Sequence, residues 1–548
     1  MQRLLLSCFT LLFSLALLVT PAHSAGNSSL EKIVRSGKNL AMYWPDFSDY
    51  QGHVEELYAS NNFNPLWFRN GKPTKEATDV IGVLSHADSK GLNAVDYDSE
   101  LLTKTLKNGV SGDISQVDVA LTVGVMRYIS DLRIGRVDFK NQSNDFDIAD
   151  KRIHLPSFVQ KLTTSSHVRQ QLDSVEPQLP QYKVLPKALA SYRKLAQDPR
   201  LSQNLSDSKT IHPGEEYAQI ELLAYKLHKL GDLQKMPSAG GSYDDEVVNG
   251  VKNFQKRHGI DQDGVLGKGT FRQLNTPMKK RVEQIVLAME RFRWFPNDFG
   301  QNPIIVNLPE FRARAFRKVD EHQYKKQLEM NVVVGKAYPR NQTPVFNKKM
   351  NHLVLAPYWN VPTSITRGEL IPKLDKDPSY LRKKHYEIVD GKGNSHPYNS
   401  NSKKDLLNGS LRIRQKPGNH NSLGLVKFMF PNKYSVYMHG TPAQSLFAKS
   451  KRDYSHGCIR LEDPLAMARY ITALDGQGDK WSKARLKKTM ESGKATTVKL
   501  NSDIQVFVLY TSVVVHPDGK VFFFDDVYGH DKKLARALAG GYPYPWGK

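Results

Sequence analysis

From about residue 25 to 205, apolar positions recur three and four apart, the spacing of helices that hide one face. Residues 117–131 (VDVALTVGVMRYISD) are the clearest case, with Ala120, Val123, Met126 and Ile129 on one side. Asn61-Asn62-Phe63-Asn64-Pro65-Leu66-Trp67 reads as a loop ending in an aromatic anchor. A second helical unit is expected over residues 206–278. There Val247, Val251 and Phe254 fit an i, i+4, i+7 face, and Gly259 ends that helix. Residues 261–267 form a turn-rich loop, and Thr270 with Gln273 three positions on reads as a capping box opening the next helix. A connecting helix follows over 279–300.

From about 301 the period changes. Short β-branched or apolar runs at 303–308, 331–335, 353–355, 423–429 and 434–438, bounded by turn residues, predict a mainly-β domain over 301–500, and a run at 505–515 continues the pattern beyond it. Residues 365–415 break the pattern. They are rich in Lys, Asn, Ser, Gly and Pro, and read as an inserted lid or irregular loop. Residues 501–548 form a C-terminal segment expected to pack on the β domain or on the helical one. The expected fold class is multidomain α+β.

The remaining composition narrows the setting. The 548 residues suggest about three domains, each large enough for its own core. With 39% hydrophobic and 24% charged residues, disordered, collagen-like and multi-span membrane classes are disfavoured. Arg3, the apolar stretch from Leu4 to Val19, and the small residues Ala22 and Ser24 read as a cleavable signal peptide over 1–24. Its apolar part falls short of a comfortable membrane span. Cleavage would remove Cys8 and leave Cys458 as the only cysteine, so no intramolecular disulfide could form. The formal charge of +23 suits a polyanionic surface such as a wall polymer or anionic headgroups. Nucleic acid is disfavoured, since no binding motif or dense basic run with interleaved aromatics occurs.

Chemistry concentrates in Tyr437-Met438-His439-Gly440-Thr441 and Tyr454-Ser455-His456-Gly457-Cys458-Ile459-Arg460. A cysteine nucleophile needs a histidine or other cation to reach its thiolate near neutral pH. His439, at the end of a strand pattern, is a better base than His456, which lies too close in sequence to face the sulfur easily. Gly457 permits a tight turn that can leave the Gly457 and Cys458 N–H groups to an oxyanion. Asp463-Pro464 begins a helix that runs to about residue 473. Two other readings stay open on residue chemistry alone: His439, His456 and Cys458 as zinc ligands, or a buried structural cysteine.

Two segments carry family resemblances. Val251-Lys252-Asn253-Phe254-Gln255, Gly259-Ile260, Asp263-Gly264-Val265-Leu266-Gly267 and Thr270 are similar to the small peptidoglycan-binding domain. Ser455-His456-Gly457-Cys458-Ile459-Arg460, with His439-Gly440 upstream, resembles the L,D-transpeptidase (YkuD-type) catalytic domain. Trp359-Asn360-Val361-Pro362, Arg414-Gln415-Lys416-Pro417-Gly418, Leu423-Gly424 and Tyr528-Gly529 extend that resemblance, and the domain order is similar to large YcbB-like members. Gly440 stands where some members carry Asp, which leaves its carbonyl to orient His439.

The resemblance implies a periplasmic, wall-associated enzyme of peptidoglycan synthesis that forms 3→3 cross-links through an acyl-Cys458 intermediate. Cys458, His439, Gly440 and Gly457 would be catalytic. Ser455, His456, Arg460, Arg452 and Tyr437 would shape the substrate pocket. Peptidoglycan tetrapeptide and a second stem peptide would be the partners, carbapenems would acylate the thiol, and no cofactor or metal would be required. L,D-carboxypeptidase activity, protein-to-peptidoglycan attachment and a non-enzymatic wall-binding scaffold are the alternatives.

Overall fold

The computed structural model describes residues 28–541, apart from 111, 139, 141–143, 147–148, 238–242 and 517. The signal-peptide reading of 1–24, with Cys8, and the end of the chain at 542–548 lie outside the described residues. No helix among them is long and apolar enough to cross a membrane.

The first helical domain has its own core, running from Leu30 to Val175. Its central helix, Ile114–Ile134, is buried on every side rather than along one face, because helices Ser28–Ser36, Gln51–Ala59 and Lys75–Leu84 all pack on it. Asp118 and Thr122, buried inside that helix, find partners on neighbouring segments. Asp118 accepts from Tyr58 Oη (2.6 Å) and from the Leu66 and Trp67 amides (3.0 and 2.8 Å), and Trp67 Nε1 donates to Thr122 at 2.9 Å. The helical unit expected to reach residue 205 stops earlier as a separate core. Leu185, Leu189 and Tyr192 belong to the large core of the β domain, through helix Leu185–Leu195 packed on helix Met278–Trp294.

The second unit has a small core built from Leu205, Leu223, Leu227, Val247, Val251, Phe254, Phe271 and others. Helix Asp245–Arg257 is capped by Asp244, which accepts from the Val247 amide at 3.0 Å. Thr270 is not a helix cap as expected: helix Lys268–Leu274 starts from Gly267. The Thr270 hydroxyl instead donates to Val265 O (2.9 Å) and accepts from Gln255 Nε2 (3.2 Å), closing the turn-rich loop. Within the unit Arg257 forms a buried ion pair with Asp232 at 2.5 Å, and its bond to Val521 O docks the unit on the C-terminal hairpin.

In the β domain, Val426–Met429 pairs with both Met438–His439 and Val345–Leu355. The intervening order is Ile459–Leu461, Gln323–Gly335, Arg312–Asp320, Ile304–Asn307 and Thr496–Leu509, so the sheet closes on itself. Strand Thr496–Leu509 crosses the expected boundary at 500 because its second half still pairs with Ile304–Asn307. Asn144–Asp145, from the helical part of the chain, adds an edge strand beside Val345 and Phe346.

The insertion is not an irregular loop. Ser395–His396, Tyr386–Val389, Arg412–Gln415 and Trp359–Asn360 form a four-stranded antiparallel sheet. Val361, Leu370, Ile371, Leu374, Ile388, Leu406 and Ile413 build a separate core for it. Its strands are only two to four residues long. Polar stretches separate its apolar positions, which hides the alternation from any short window.

Candidate active site

Cys458 sits just before the short strand Ile459–Leu461, which runs parallel to Met438–His439. The pairing of Met438 with Ile459 and His439 with Arg460 fixes the geometry. Side chains alternate along strands, and residues paired side by side share a face. Met438 and Ile459 therefore enter the core, both fully buried, while Tyr437, His439, Cys458 and Arg460 share the opposite face. The Ile459 amide donates to Tyr437 O at 3.1 Å, locking this register beside the nucleophile.

The loop before Cys458 is braced from several directions. Gly457 has φ +123°, a conformation that L side chains rarely adopt. Its carbonyl accepts from Thr343 Oγ1 at 2.8 Å, and Thr343 Oγ1 accepts from the Gly335 amide at 2.9 Å. Tyr528 Oη donates to Gly335 O at 2.7 Å and accepts from the Thr343 amide at 3.3 Å. Ser455 Oγ donates to Cys458 O at 2.6 Å and accepts from the Gly457 amide at 3.1 Å. The Cys458 thiol lies 3.8 Å from Ser435 O, a residue held at φ +56°.

His439 is buried, and its Nδ1 lies 2.5 Å from Gly440 O. A carbonyl only accepts, so Nδ1 carries the proton of the neutral ring and Nε2 keeps its lone pair. Gly424 makes this possible: its φ is +61°, and a Cβ there would come within 2.6 Å of the Gly440 carbonyl carbon. Burial, reinforced by the Arg460 charge, lowers the His439 pKa to about 3. Burial also raises the Cys458 thiol above its ordinary 9.0, against hydrogen bonds from Tyr437 and the Arg460 charge, which favour the thiolate. The resting pair is thus a neutral thiol and a neutral imidazole.

Tyr437 and Arg460 complete the face. The Tyr437 side chain is close enough to Cys458 to favour its thiolate, and its ring centre lies 5.7 Å from that of His439. Arg460 Nε is buried without a hydrogen-bond partner among the described residues. Three expected roles change. The Gly457 amide is engaged by Ser455, which leaves only the Cys458 amide of the two to meet an oxyanion. Arg452 is committed to three carbonyls, those of Val332, Lys449 and Phe311, and braces backbone instead of facing substrate. His456 points outward, its Nε2 2.8 Å from Glu369 of the insertion, so His439, His456 and Cys458 are not gathered as metal ligands. Among the described residues, no group of three or more His, Cys, Asp or Glu side chains could hold a metal ion.

Thr343, Glu369 and Ser435 were not singled out from the sequence. None belongs to a local pattern, and each meets the loop from a distant part of the chain. Tyr528 appeared there only as part of a Tyr-Gly pair; its bracing bond to Gly335 spans 193 residues.

Comparison with known proteins places these features in a family. Residues 301–500 match the family described as "L,D-transpeptidase catalytic domain", 52–189 match "Scaffold domain", and 216–274 match "Putative peptidoglycan binding domain". A Haemophilus influenzae protein named "Putative L,D-transpeptidase" is 31% identical over 254 residues, 46% of this chain and 49% of that protein. "Metalloendoproteinase 1" of Glycine max is 29% identical over 68 residues, 12% of this chain and 22% of that one. The chain thus spans about half the length of the first relative and less of the second. A solved structure from Clostridium acetobutylicum is titled a fused Zn-dependent amidase/peptidase/peptidoglycan-binding domain-containing protein. It covers 55% of this chain and 99% of its own, with 13% identity and a TM-score of 0.16, below what a shared fold requires. Residues 301–500 thus form a YkuD-type L,D-transpeptidase catalytic domain, with a scaffold domain and a peptidoglycan-binding domain before it.

Proposed function

We propose that the chain forms 3→3 cross-links between peptidoglycan stem peptides through an acyl-Cys458 intermediate. One observation carries this reading: Cys458 and Arg460 share a sheet face with Tyr437 and His439, whose Nδ1 is committed to Gly440 O. His439 Nε2 is thereby left as proton acceptor. Sγ attacks the carbonyl of the diamino acid at position three of a donor tetrapeptide while its proton passes to His439. The Cys458 amide and the Tyr437 phenol meet the developing oxyanion. Collapse breaks the peptide C–N bond, and His439 returns the proton to the departing D-alanine amine. The side-chain amine of a second stem then attacks the thioester, giving up its proton to His439 as the new amide forms and the thiol is regenerated. Arg460 neutralises a carboxylate of the donor.

The peptidoglycan-binding unit supports association with the wall, and the reading of residues 1–24 as an export signal supports a periplasmic setting. The insertion acts as a lid over the Cys458 loop, tethered through Glu369 and His456. The same thiol chemistry with water or a protein amine as acceptor would give carboxypeptidase activity or protein attachment. Incubating the mature chain with disaccharide-tetrapeptides and weighing the products separates these outcomes. A dimer formed with loss of D-alanine, and absent with Cys458→Ala, supports cross-linking. Tripeptide alone would replace it with carboxypeptidase activity, and full activity in the Cys458→Ala variant would overturn thiol catalysis. Carbapenems should leave a mass adduct on Cys458.

A further inference from the structure

The proposed acyl transfer gives no role to Lys427. This residue pairs with His439 across the antiparallel ladder, as Arg460 pairs with His439 across the parallel one. Arg460, His439 and Lys427 therefore stand in one transverse row on the face that carries Cys458. At a strand spacing of about 4.8 Å, the two cationic residues are rooted about 10 Å apart with the imidazole between them. Lys427 Nζ lies 5.8 Å from the centre of the Tyr437 ring, which shares the face of the nucleophile.

No carboxylate answers either cation among the described residues. Burial is the one influence acting on Lys427, and Arg460 feels burial and the Cys458 thiol. On the other side of the ladder Lys427 pairs with Val354, and the nearby His352 and Lys499 supply no anion. Desolvating a cation without a counter-ion is unfavourable unless a ligand supplies the anion. The chain has 55 acidic residues, so the lack of one here is a property of the site.

We propose that Lys427 is a specificity-determining residue that recognises a second carboxylate on the acyl-donor peptide, about 10 Å from the carboxylate held by Arg460. The proposal rests on the acyl-transfer reading above. The Tyr437 ring face lies 5.8 Å from the ammonium, within cation–π range. A donor bearing two carboxylates bridges the row, with its scissile carbonyl over Cys458.

The test uses two synthetic tetrapeptide donors that differ only in whether their additional carboxylate is free or a primary amide. With the mature chain, acylation of Cys458 should favour the free acid about tenfold, the lower end for hydrogen bonds to charged groups, and mainly through KM. In Lys427→Gln the two donors should converge, and Lys427→Arg should restore the preference. A preference that survives Lys427→Gln, or equal losses with both donors, would overturn the assignment. Calorimetric binding of both donors to the Cys458→Ala variant, with and without Lys427→Gln, separates this proposal from the chemistry. Loss of acid-over-amide binding supports Lys427 whatever reaction follows. Wild-type acylation by neither donor overturns the acyl-transfer reading alone.

Discussion

In the free enzyme Cys458 should alkylate as a protonated thiol, without the plateau near pH 5–7 that a thiolate–imidazolium pair produces. A thiol ionising at 9.0 or above and an imidazole protonating at about 3 are separated by about 8 kcal/mol against proton transfer. Even at contact, about 4 Å, attraction between the resulting charges would return only about 4 kcal/mol at an effective dielectric of 20. The neutral pair therefore wins, and at pH 7 less than about 1% of Cys458 is thiolate. Iodoacetamide labelling from pH 5 to 10, read by mass spectrometry, tests this without ambiguity, since Cys458 is the only cysteine beyond residue 24. The rate should rise tenfold per pH unit through the neutral range. Arg460→Gln and Tyr437→Phe should each move the curve to higher pH, because both side chains favour the thiolate. A pH-independent rate between 5 and 7 would refute the neutral pair, as would variants that label faster than wild type. Such a resting state ties thiol activation to bound substrate, which excludes water and brings its own oxyanion to the waiting donors.

Two further outcomes follow from bonds away from the reacting atoms. Thr343→Val keeps the shape of a fully buried side chain but strands the Gly457 carbonyl and the Gly335 amide. It should cost about 2–4 kcal/mol, lower the melting temperature by about 5 °C or more, and slow acylation; a shift under about 1 °C would show that the brace is idle. In the helical domain, burial raises the pKa of Asp98 to about 6 from its ordinary 3.8. Between those values the folded chain keeps a proton that the unfolded chain has released, so stability is lost as pH rises from about 4 to 6, by up to about 3 kcal/mol. Asp98→Asn has no proton to lose and tolerates the local φ of +57°. Its melting temperature should exceed wild type above pH 6, with the gain vanishing near pH 4; a gain independent of pH would remove the titration from the account.

Much of the catalytic loop was legible because its information is local. The Ser455–Arg460 run, the glycine before Cys458 and the cap at Asp463 all act within a few residues. Asp463 accepts from the Ala466 amide at 2.8 Å at the head of helix Pro464–Leu474, and that helix was predicted from two adjacent residues. Val247, Val251 and Phe254 likewise announced a helix face that is buried. Thr270 misled for an instructive reason. Its hydroxyl had two possible backbone uses, and the tertiary contact with Gln255 selected the one outside the capping box. Arg452 misled similarly, since a motif neighbour with five donors serves equally well as substrate clamp or backbone brace.

The amino-acid sequence by itself determined the units of this protein: helical periods, a glycine-punctuated β region, one thiol after residue 24 with a histidine 19 positions upstream, and an excess of positive charge. Those features depend on residue type and short spacing. Only the tertiary structure decided that Thr343, 114 residues from Gly457, holds the turn before the nucleophile. It also decided that Asn144–Asp145 joins the β sheet and that Lys427 stands beside His439 in a row with Arg460. The reason is physical. Strand register and loop closure bring together residues with no fixed sequence separation, and a register shift of one position would send Lys427 or Arg460 to the opposite face.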